Sequence, residues 1–177
     1  MGAKWQRFKI EIPKGYKPAE RESIAQDIID FIVNRSLEGK DKRNKKFTPG
    51  YSKGYAKSAE GSVAGKTVGG TPNMWLTGEM LSDLGDYLKH KDGEIEIGFV
   101  NGTESNAKAD GNIRGTYGKK APIKGGKYAR DFLGITKKDL NNIIKQYPLE
   151  ADELARLKNT LQEVLELTTI VGSGNAS

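Results

Sequence analysis

The sequence predicts an α+β fold in which a small antiparallel sheet is flanked by helices and joined by long loops rich in glycine and lysine. Alternation of apolar and polar residues at residues 8–12 and 95–99 is typical of half-buried strands. Other stretches place apolar residues three or four positions apart, as amphipathic helices do. The 177 residues suit one domain with room for a hydrophobic core.

The first strand and the first helix have the clearest patterns. Phe8, Ile10 and Ile12 alternate with charged residues, which predicts a strand with one buried face. Pro18 suits the first turn of a helix, where its missing N–H costs nothing, and Gly39 suits the end. Between them lies an apolar stripe at helical spacing: Ile24, Ile28, Phe31 and Ile32, widened by Ile29 and Val33.

The middle of the chain is predicted to hold a loop, a second helix and a second strand. Residues 40–73 show no sustained period and predict a long loop. A second helix is expected to begin near Thr77, and Asp92-Gly93 predicts the turn that follows it. The apolar residues of this helix are Leu76, Met80, Leu81, Leu84 and Leu88. Ile95, Ile97 and Phe99 then alternate along the second strand.

The remaining segments are predicted from turn residues and caps. Asn101-Gly102 is compatible with a hairpin turn, and residues 103–127 predict a second extended loop with one strand near Ile113–Tyr117. Thr136, with Asp139 three residues later, predicts a capping box that opens a short helix ending before Pro148.

The predicted boundaries divide the chain into three parts. Residues 1–147 form one α+β domain, residues 148–171 form an extra C-terminal amphipathic helix, and residues 172–177 form a flexible tail. The helix is expected to pack on its own core or to contact another subunit.

The net charge of +6 comes largely from residues 40–66, which hold eight basic and two acidic residues. This basic loop is open to three interpretations: a solvated charge run, a phosphate-contacting segment, or a segment that docks on an acidic neighbouring subunit. Its candidate interaction residues are Lys42, Arg43, Lys45, Lys46, Tyr51, Lys53 and Tyr55.

Catalytic chemistry is not indicated. The chain has no cysteine, and its single histidine, His90, is predicted at the end of the second helix. Gly65-Lys66-Thr67 lacks the spacing of a phosphate-binding loop. We therefore expect a protein that is not an enzyme and has no catalytic residue, metal or cofactor. Without a signal peptide or an apolar run of about 18 residues, a soluble intracellular product is expected.

A candidate structural clasp lies at residues 130–136, where an apolar segment leads into the capped helix. Its members are Arg130, Phe132, Leu133 and Thr136. We expect Phe132 and Leu133 to be buried and the segment to fix the point where a long loop re-enters the core.

Five segments, in order along the chain, carry recognisable motifs. They are the aromatic-Pro-Tyr-Ser-Tyr loop at residues 47–55; Leu-Thr-Gly-x-Met-Leu-x-x-Leu at residues 76–84; Ile97-Gly98-Phe99; Ala109-x-x-Asn112-x-x-Gly115, with Asn for the usual His; and Ala-Arg-x-Phe-Leu-Gly at residues 129–134, after Tyr128 in place of Pro. Together they resemble the bacteriophage virion-morphogenesis, or tail-completion, family over roughly residues 18–146.

The resemblance implies a structural neck or tail-completion protein at the head–tail junction of a virion, assembled in the cytoplasm of the bacterial host. It implies a homo-oligomeric ring, of six or twelve copies, that encloses genomic DNA non-specifically between head-connector and tail proteins, with no membrane. Two alternatives remain: a tail terminator ring that caps the tail tube, and a non-specific nucleic-acid-binding module that uses the basic loop 40–66.

Overall fold

A computed structural model of the chain describes residues 2–63, 65–74, 79–116 and 129–150, together with residues 155 and 162. In order, the elements are β1 (Arg7–Glu11), α1 (Pro18–Leu37), α2 (Lys53–Ala56), α3 (Ala59–Val63), α4 (Glu79–Ser82), β2 (Tyr87–Lys91), β3 (Glu94–Gly98), α5 (Glu104–Arg114) and α6 (Lys137–Ile144). The fold is α+β, which confirms the predicted class. The predicted C-terminal helix lies almost entirely outside the described residues, and the predicted tail lies wholly outside them. Within the described ranges, no helix is both long and apolar enough to cross a membrane.

The sheet has three antiparallel strands in the order β1-β3-β2. Ile10 lies opposite Ile95, and Phe8 lies opposite Ile97, so the alternating apolar residues of both predicted strands share one face. Gly98 ends β3 where the chain passes very close to β1. A Cβ atom at this position would lie 2.6 Å from the Cβ of Arg7, so only glycine fits.

Helix α1 covers the apolar face of the sheet and supplies the centre of the core. Ile24, Ile28 and Ile32 are fully buried, as their helical spacing predicts. The helix begins at Pro18 and is followed by Gly39 at a φ of 77°, so both predicted ends are confirmed. Burial of this stripe against the sheet stabilises the fold through the hydrophobic effect.

The predicted second helix is wrong beyond its first turn. Only Glu79–Ser82 is helical in the described part of this segment, and residues 75–78 lie outside it. Gly85 then adopts a φ of 106° and donates its N–H to the carbonyl oxygen of Gly98. Leu88, which fits the helical spacing, instead lies opposite Ile97 in strand β2. Pairing with β3 satisfies the backbone along its length, so the hairpin prevails over a helical pattern of only a few leucines.

The predicted loop over residues 103–127 is also wrong in its first half. Residues Glu104–Arg114 form helix α5, capped by the Thr103 hydroxyl, which accepts a hydrogen bond from the N–H of Asn106. The turn at residues 101–102 therefore leads into a helix, and the strand expected near residue 113 does not form. Residues 117–128 lie outside the described part of the chain.

Helix α5 has no apolar period because its buried face is largely polar. Asn106 and Asp110 are each 1% exposed. The side-chain oxygen (Oδ1) of Asn106 accepts the backbone N–H of Gln6, and the Asp110 carboxylate accepts the side-chain amide of Gln6, both at 2.8 Å. The helix is thus held by hydrogen bonds to the segment before β1, a pattern that hydrophobic spacing does not reveal.

The predicted loop at residues 40–73 has no strand in its described residues, 40–63 and 65–73, but it is not structureless. It contains α2, α3 and an isolated bridge between Lys40 and Lys46. Phe47, Tyr51 and Ala56 are buried, so several of its side chains pack against the body of the domain or within the loop.

Helix α6 is tied back to α1 through Tyr147. The Tyr147 hydroxyl donates to Asp27 Oδ2 at 2.7 Å, and the Tyr147 carbonyl oxygen accepts from the Tyr16 hydroxyl at 2.8 Å. Burial, together with the hydrogen bond to the Asp27 carboxylate, raises the pKa of Tyr147 to about 12.

We expect Phe132→Ala to lower the free energy of unfolding by about 3–5 kcal/mol, because the ring is fully buried and its removal leaves a cavity. Urea unfolding followed by circular dichroism measures this loss. Phe132→Leu keeps most of the volume and should lose less. A neutral alanine variant would mean that the side chain faces a partner and not the core.

Stability should also fall at alkaline pH through Tyr147. The folded pKa of about 12 lies above the ordinary 10.0, so this contribution is complete below pH 10 and is lost as the pH rises toward 12. Tyr147→Phe removes it. The stability difference between wild type and variant should therefore shrink over this range, and a difference independent of pH would refute the coupling.

Candidate functional site

The clasp, residues 130–136, joins the body of the domain to α6. Phe132 is fully buried, and its ring meets that of Phe99 edge-on, with centroids 6.4 Å apart and planes at 70°. Leu133 is 8% exposed. Both side chains thus lie in the core that α1 and the sheet form.

A buried arginine that the sequence reasoning missed holds the clasp in place. Arg35, near the end of α1, is 4% exposed. Its Nη2 atom donates to the carbonyl oxygens of Phe132 at 2.5 Å and Gly134 at 2.8 Å, and Nη1 donates to that of Lys42 at 3.4 Å. One planar group therefore links α1, the clasp and the basic loop.

The electrostatic setting of Arg35 is unusual for an arginine. Burial lowers the pKa of Arg35, and attraction to the carboxylates of Asp139, Asp41 and Asp131 raises it in part. A signal for this residue existed in the sequence, because Arg35 continues the helical spacing of Ile28 and Ile32. A basic residue at a core position of an apolar stripe indicates that backbone oxygens lie beside it.

Thr136 caps α6, as its sequence pattern predicts. Its hydroxyl oxygen accepts the N–H of Asp139 at 3.2 Å and donates to the Asp139 carboxylate at 2.7 Å. The same carboxylate oxygen accepts the side-chain amide of Asn44 at 2.8 Å. The cap of α6 is therefore also the attachment point of the basic loop.

The basic turn, residues 41–46, is the part of the loop attached there. The carboxylate of Asp41 accepts the N–H groups of Arg43 and Lys45, both at 2.8 Å, and Asn44 has a φ of 63°. This folds the turn back on itself and leaves the side chains of Arg43, Lys45 and Lys46 exposed.

Lys42 differs from its basic neighbours because it is used within the chain. Its ammonium group lies 2.6 Å from a carboxylate oxygen of Asp131, and its N–H donates to the Asp131 carbonyl oxygen at 2.8 Å. Lys42 therefore holds the turn against the clasp, although the sequence grouped it with the interaction residues.

The arm, residues 52–68, is a separate projection that contains α2 and α3. Its base closes where the N–H of Tyr51 donates to Gly70 and the N–H of Gly69 donates to Tyr51. The backbones approach so closely that a Cβ on Gly50 would lie 2.5 Å from the carbonyl oxygen of Gly69. Glycine at this position is thus a geometric requirement of the base.

Tyr51 anchors the base of the arm and is not presented to solvent. It is 8% exposed, and its hydroxyl accepts the N–H of Asn73 at 2.9 Å. The ring of Tyr55 lies 5.3 Å from that of Tyr51, and Arg130 Cζ lies 5.9 Å from the Tyr51 ring centroid. Of the predicted interaction residues on the arm, Lys53 is exposed and Tyr55 is half-buried.

Arg130 packs at this base. Burial lowers the pKa of its guanidinium group, and the phenol groups of Tyr51 and Tyr55, which become negative only at alkaline pH, act to raise it. The backbone N–H of Arg130 donates to the backbone carbonyl oxygen of Asn112 at 2.8 Å. Asn112 in turn contacts Met80, with its Nδ2 atom 3.8 Å from the Met80 sulfur.

The five motif segments therefore converge around the clasp. Arg130 contacts the first segment through Tyr51 and the fourth through Asn112, and Phe132 contacts the third through Phe99. The second segment joins through Met80. Residues 76–78 of that segment lie outside the described part of the chain.

No known protein family, curated protein or solved structure matches this chain. Its function must therefore be inferred from the contacts of its own residues.

His90 and Lys66 both make hydrogen bonds within the fold. His90 lies in β2 and not at a helix end, and its Nδ1 atom accepts from Arg21 Nε at 3.4 Å. Lys66 is buried and donates to the side-chain oxygen of Asn73. In the described ranges, no group of three or more His, Asp or Glu side chains forms a potential metal site.

Arg35→Met should lower the free energy of unfolding by about 2–4 kcal/mol, because the buried carbonyl oxygens of Phe132 and Gly134 lose their donor. Arg35→Lys should recover only part of this loss, since an ammonium group lacks the planar fork. Urea unfolding measures both.

Arg7→Met is the matched control for this experiment. Arg7 is an exposed arginine whose ion pair with Glu96 should contribute less than about 1 kcal/mol. Equal losses at the two positions would show that the carbonyl contacts of Arg35 do not stabilise the clasp.

Proposed function

We propose that this chain is a non-enzymatic structural protein of a phage virion that forms a ring at the head–tail junction. The observation that carries the proposal is the convergence of the five family-like segments on the clasp. Segments that resemble one family and also contact one another are expected when they determine a shared fold.

The packing and backbone conformation of the fold explain why several motif positions hold small residues, and this supports the proposal. Ala109 is fully buried in α5, and Gly115 ends that helix in the left-handed conformation at a φ of 71°. Gly98 lies against β1, where no side chain fits. The motifs therefore specify packing and chain direction, as the motifs of a structural protein do.

The arm is the feature suited to contact a neighbouring copy. Val63 is 92% exposed and Val68 is 57% exposed. Single exposed valines are ordinary, but both of these belong to one projection whose base is pinned by Tyr51. An arm that binds a different surface of the next copy makes a head-to-tail contact, which closes a ring when its rotation fits.

The particle phenotype tests the proposal. Disrupting the gene in the phage that encodes it should give filled heads and separate tails by electron microscopy, and wild-type protein supplied in trans should restore joined particles. Tails of abnormal length would instead indicate the alternative, a tail terminator ring. Normal infectious particles would contradict both proposals.

Complementation with arm variants tests the subunit contact. Val63→Asp with Val68→Asp should fail to restore joined particles, because charged side chains cannot be buried against a neighbour without a large desolvation cost. Val100→Asp is the control, since Val100 is 43% exposed and lies outside the arm. Full rescue by the arm variant would exclude the arm from the ring contact.

A further inference from the structure

We propose that the basic turn and the first turn of α6 form one binding surface for the phosphate backbone of double-stranded DNA. This phosphate surface consists of five exposed cationic side chains: Arg43, Lys45, Lys46, Lys137 and Lys138. The two groups are about ninety residues apart in sequence. They meet because the side-chain amide of Asn44, at the tip of the turn, donates a hydrogen bond to the carboxylate of Asp139 in the first turn of α6.

Three carboxylates beside the phosphate surface, those of Asp41, Asp131 and Asp139, are hydrogen-bonded or ion-paired within the protein. Asp41 accepts the N–H groups of its own turn, Asp131 pairs with Lys42, and Asp139 accepts from Thr136 and Asn44. Within the described residues, none of the five cations has a carboxylate within salt-bridge distance. The carboxylates are thus held by the fold, and the cations point outward.

Two of the cations occupy an unfavourable position in the free protein. Lys137 and Lys138 are the first residues of α6, where the helix dipole already places partial positive charge. Three further cations lie on the adjoining turn. Such an accumulation is a cost for the isolated domain that a bound polyanion offsets.

The composition of the surface favours DNA over a protein partner. The centres of protein–protein interfaces are depleted in lysine and enriched in aromatic residues, whereas four of the five cations of this surface are lysines. Phosphate contacts come mainly from arginine and lysine and carry no sequence information.

The same surface favours a duplex over a single strand. Single-stranded nucleic acid is held largely by bases stacked on aromatic rings. Tyr51, the aromatic residue nearest to the basic turn in sequence after Phe47, is buried at the base of the arm, and Phe47 is buried too. Cations on two segments that the Asn44–Asp139 hydrogen bond joins suit the regularly spaced phosphates of a duplex, and the two aromatic side chains nearest to the basic turn in sequence are buried. This binding does not require the chain to assemble into an oligomeric ring, so the inference does not depend on the proposed function.

The test uses the purified full-length chain and a fluorescent duplex of about 20 base pairs of arbitrary sequence, with anisotropy measured at several salt concentrations. Five phosphate contacts give a slope of log Kobs against log salt of about −4.5. Affinity should therefore fall about 500-fold between 50 mM and 200 mM salt. A single strand of equal length should bind more weakly.

Two double variants that remove the same amount of charge distinguish DNA binding at this surface from DNA binding by other cations of the basic loop. Lys137→Gln with Lys138→Gln should reduce the slope to about −2.7, because two contacts are lost. Lys53→Gln with Lys57→Gln, on α2 of the arm and at its end, should leave it at about −4.5. The triple variant Arg43→Gln, Lys45→Gln and Lys46→Gln should reduce it to about −1.8.

Thermal unfolding shows that such losses do not come from misfolding. Removing Lys137 and Lys138 should raise the unfolding temperature at low salt, because repulsion at the start of α6 is relieved. Poly-glutamate serves as the probe for an acidic protein partner.

The proposal is overturned by the absence of salt-dependent duplex binding, by equal effects of the two double variants, or by binding of poly-glutamate without binding of the duplex. Tighter binding of the single strand would overturn it as well.

Discussion

The buried guanidinium group of Arg35 is the interaction on which the rest of this structure depends. It gathers the carbonyl oxygens of Phe132, Gly134 and Lys42, which belong to two segments separated by about half of the chain. A buried cation is costly unless hydrogen bonds satisfy it, so these segments must meet at the end of α1. The direction of the clasp and the position of the basic turn beside it follow from that requirement.

The basic turn and the arm, which are the two surfaces proposed for function, are both attached to the clasp that Arg35 holds in place. On one side the basic turn is held by Lys42 and Asn44 and presents its cations beside α6. On the other side the clasp begins at Arg130, which packs against Tyr51 at the base of the arm. The clasp therefore supports both projections, as expected where exposed segments must hold a defined position against a partner.

Polar contacts also explain why parts of the fold escape sequence reasoning. Helix α5 buries Asn106 and Asp110 against the backbone and side chain of Gln6, about 100 residues away. Apolar spacing is absent because its buried face is polar. At Leu88 the opposite occurred, since a helical spacing of leucines was present and pairing with Ile97 drew the residue into a strand. Both errors come from interactions that a local apolar period does not encode.

The sequence by itself determined the α+β class, β1, β3, helix α1 with both of its ends, and the cap of α6 at Thr136. These depend on periods and caps that neighbouring residues define. Only the tertiary structure decided that Tyr51 is buried, that Lys42 serves the fold, and that Lys137 and Lys138 join the basic turn. The reason is physical: the Asn44–Asp139 contact spans 95 positions, and no local pattern encodes which distant groups a buried arginine or a capped helix will bring together.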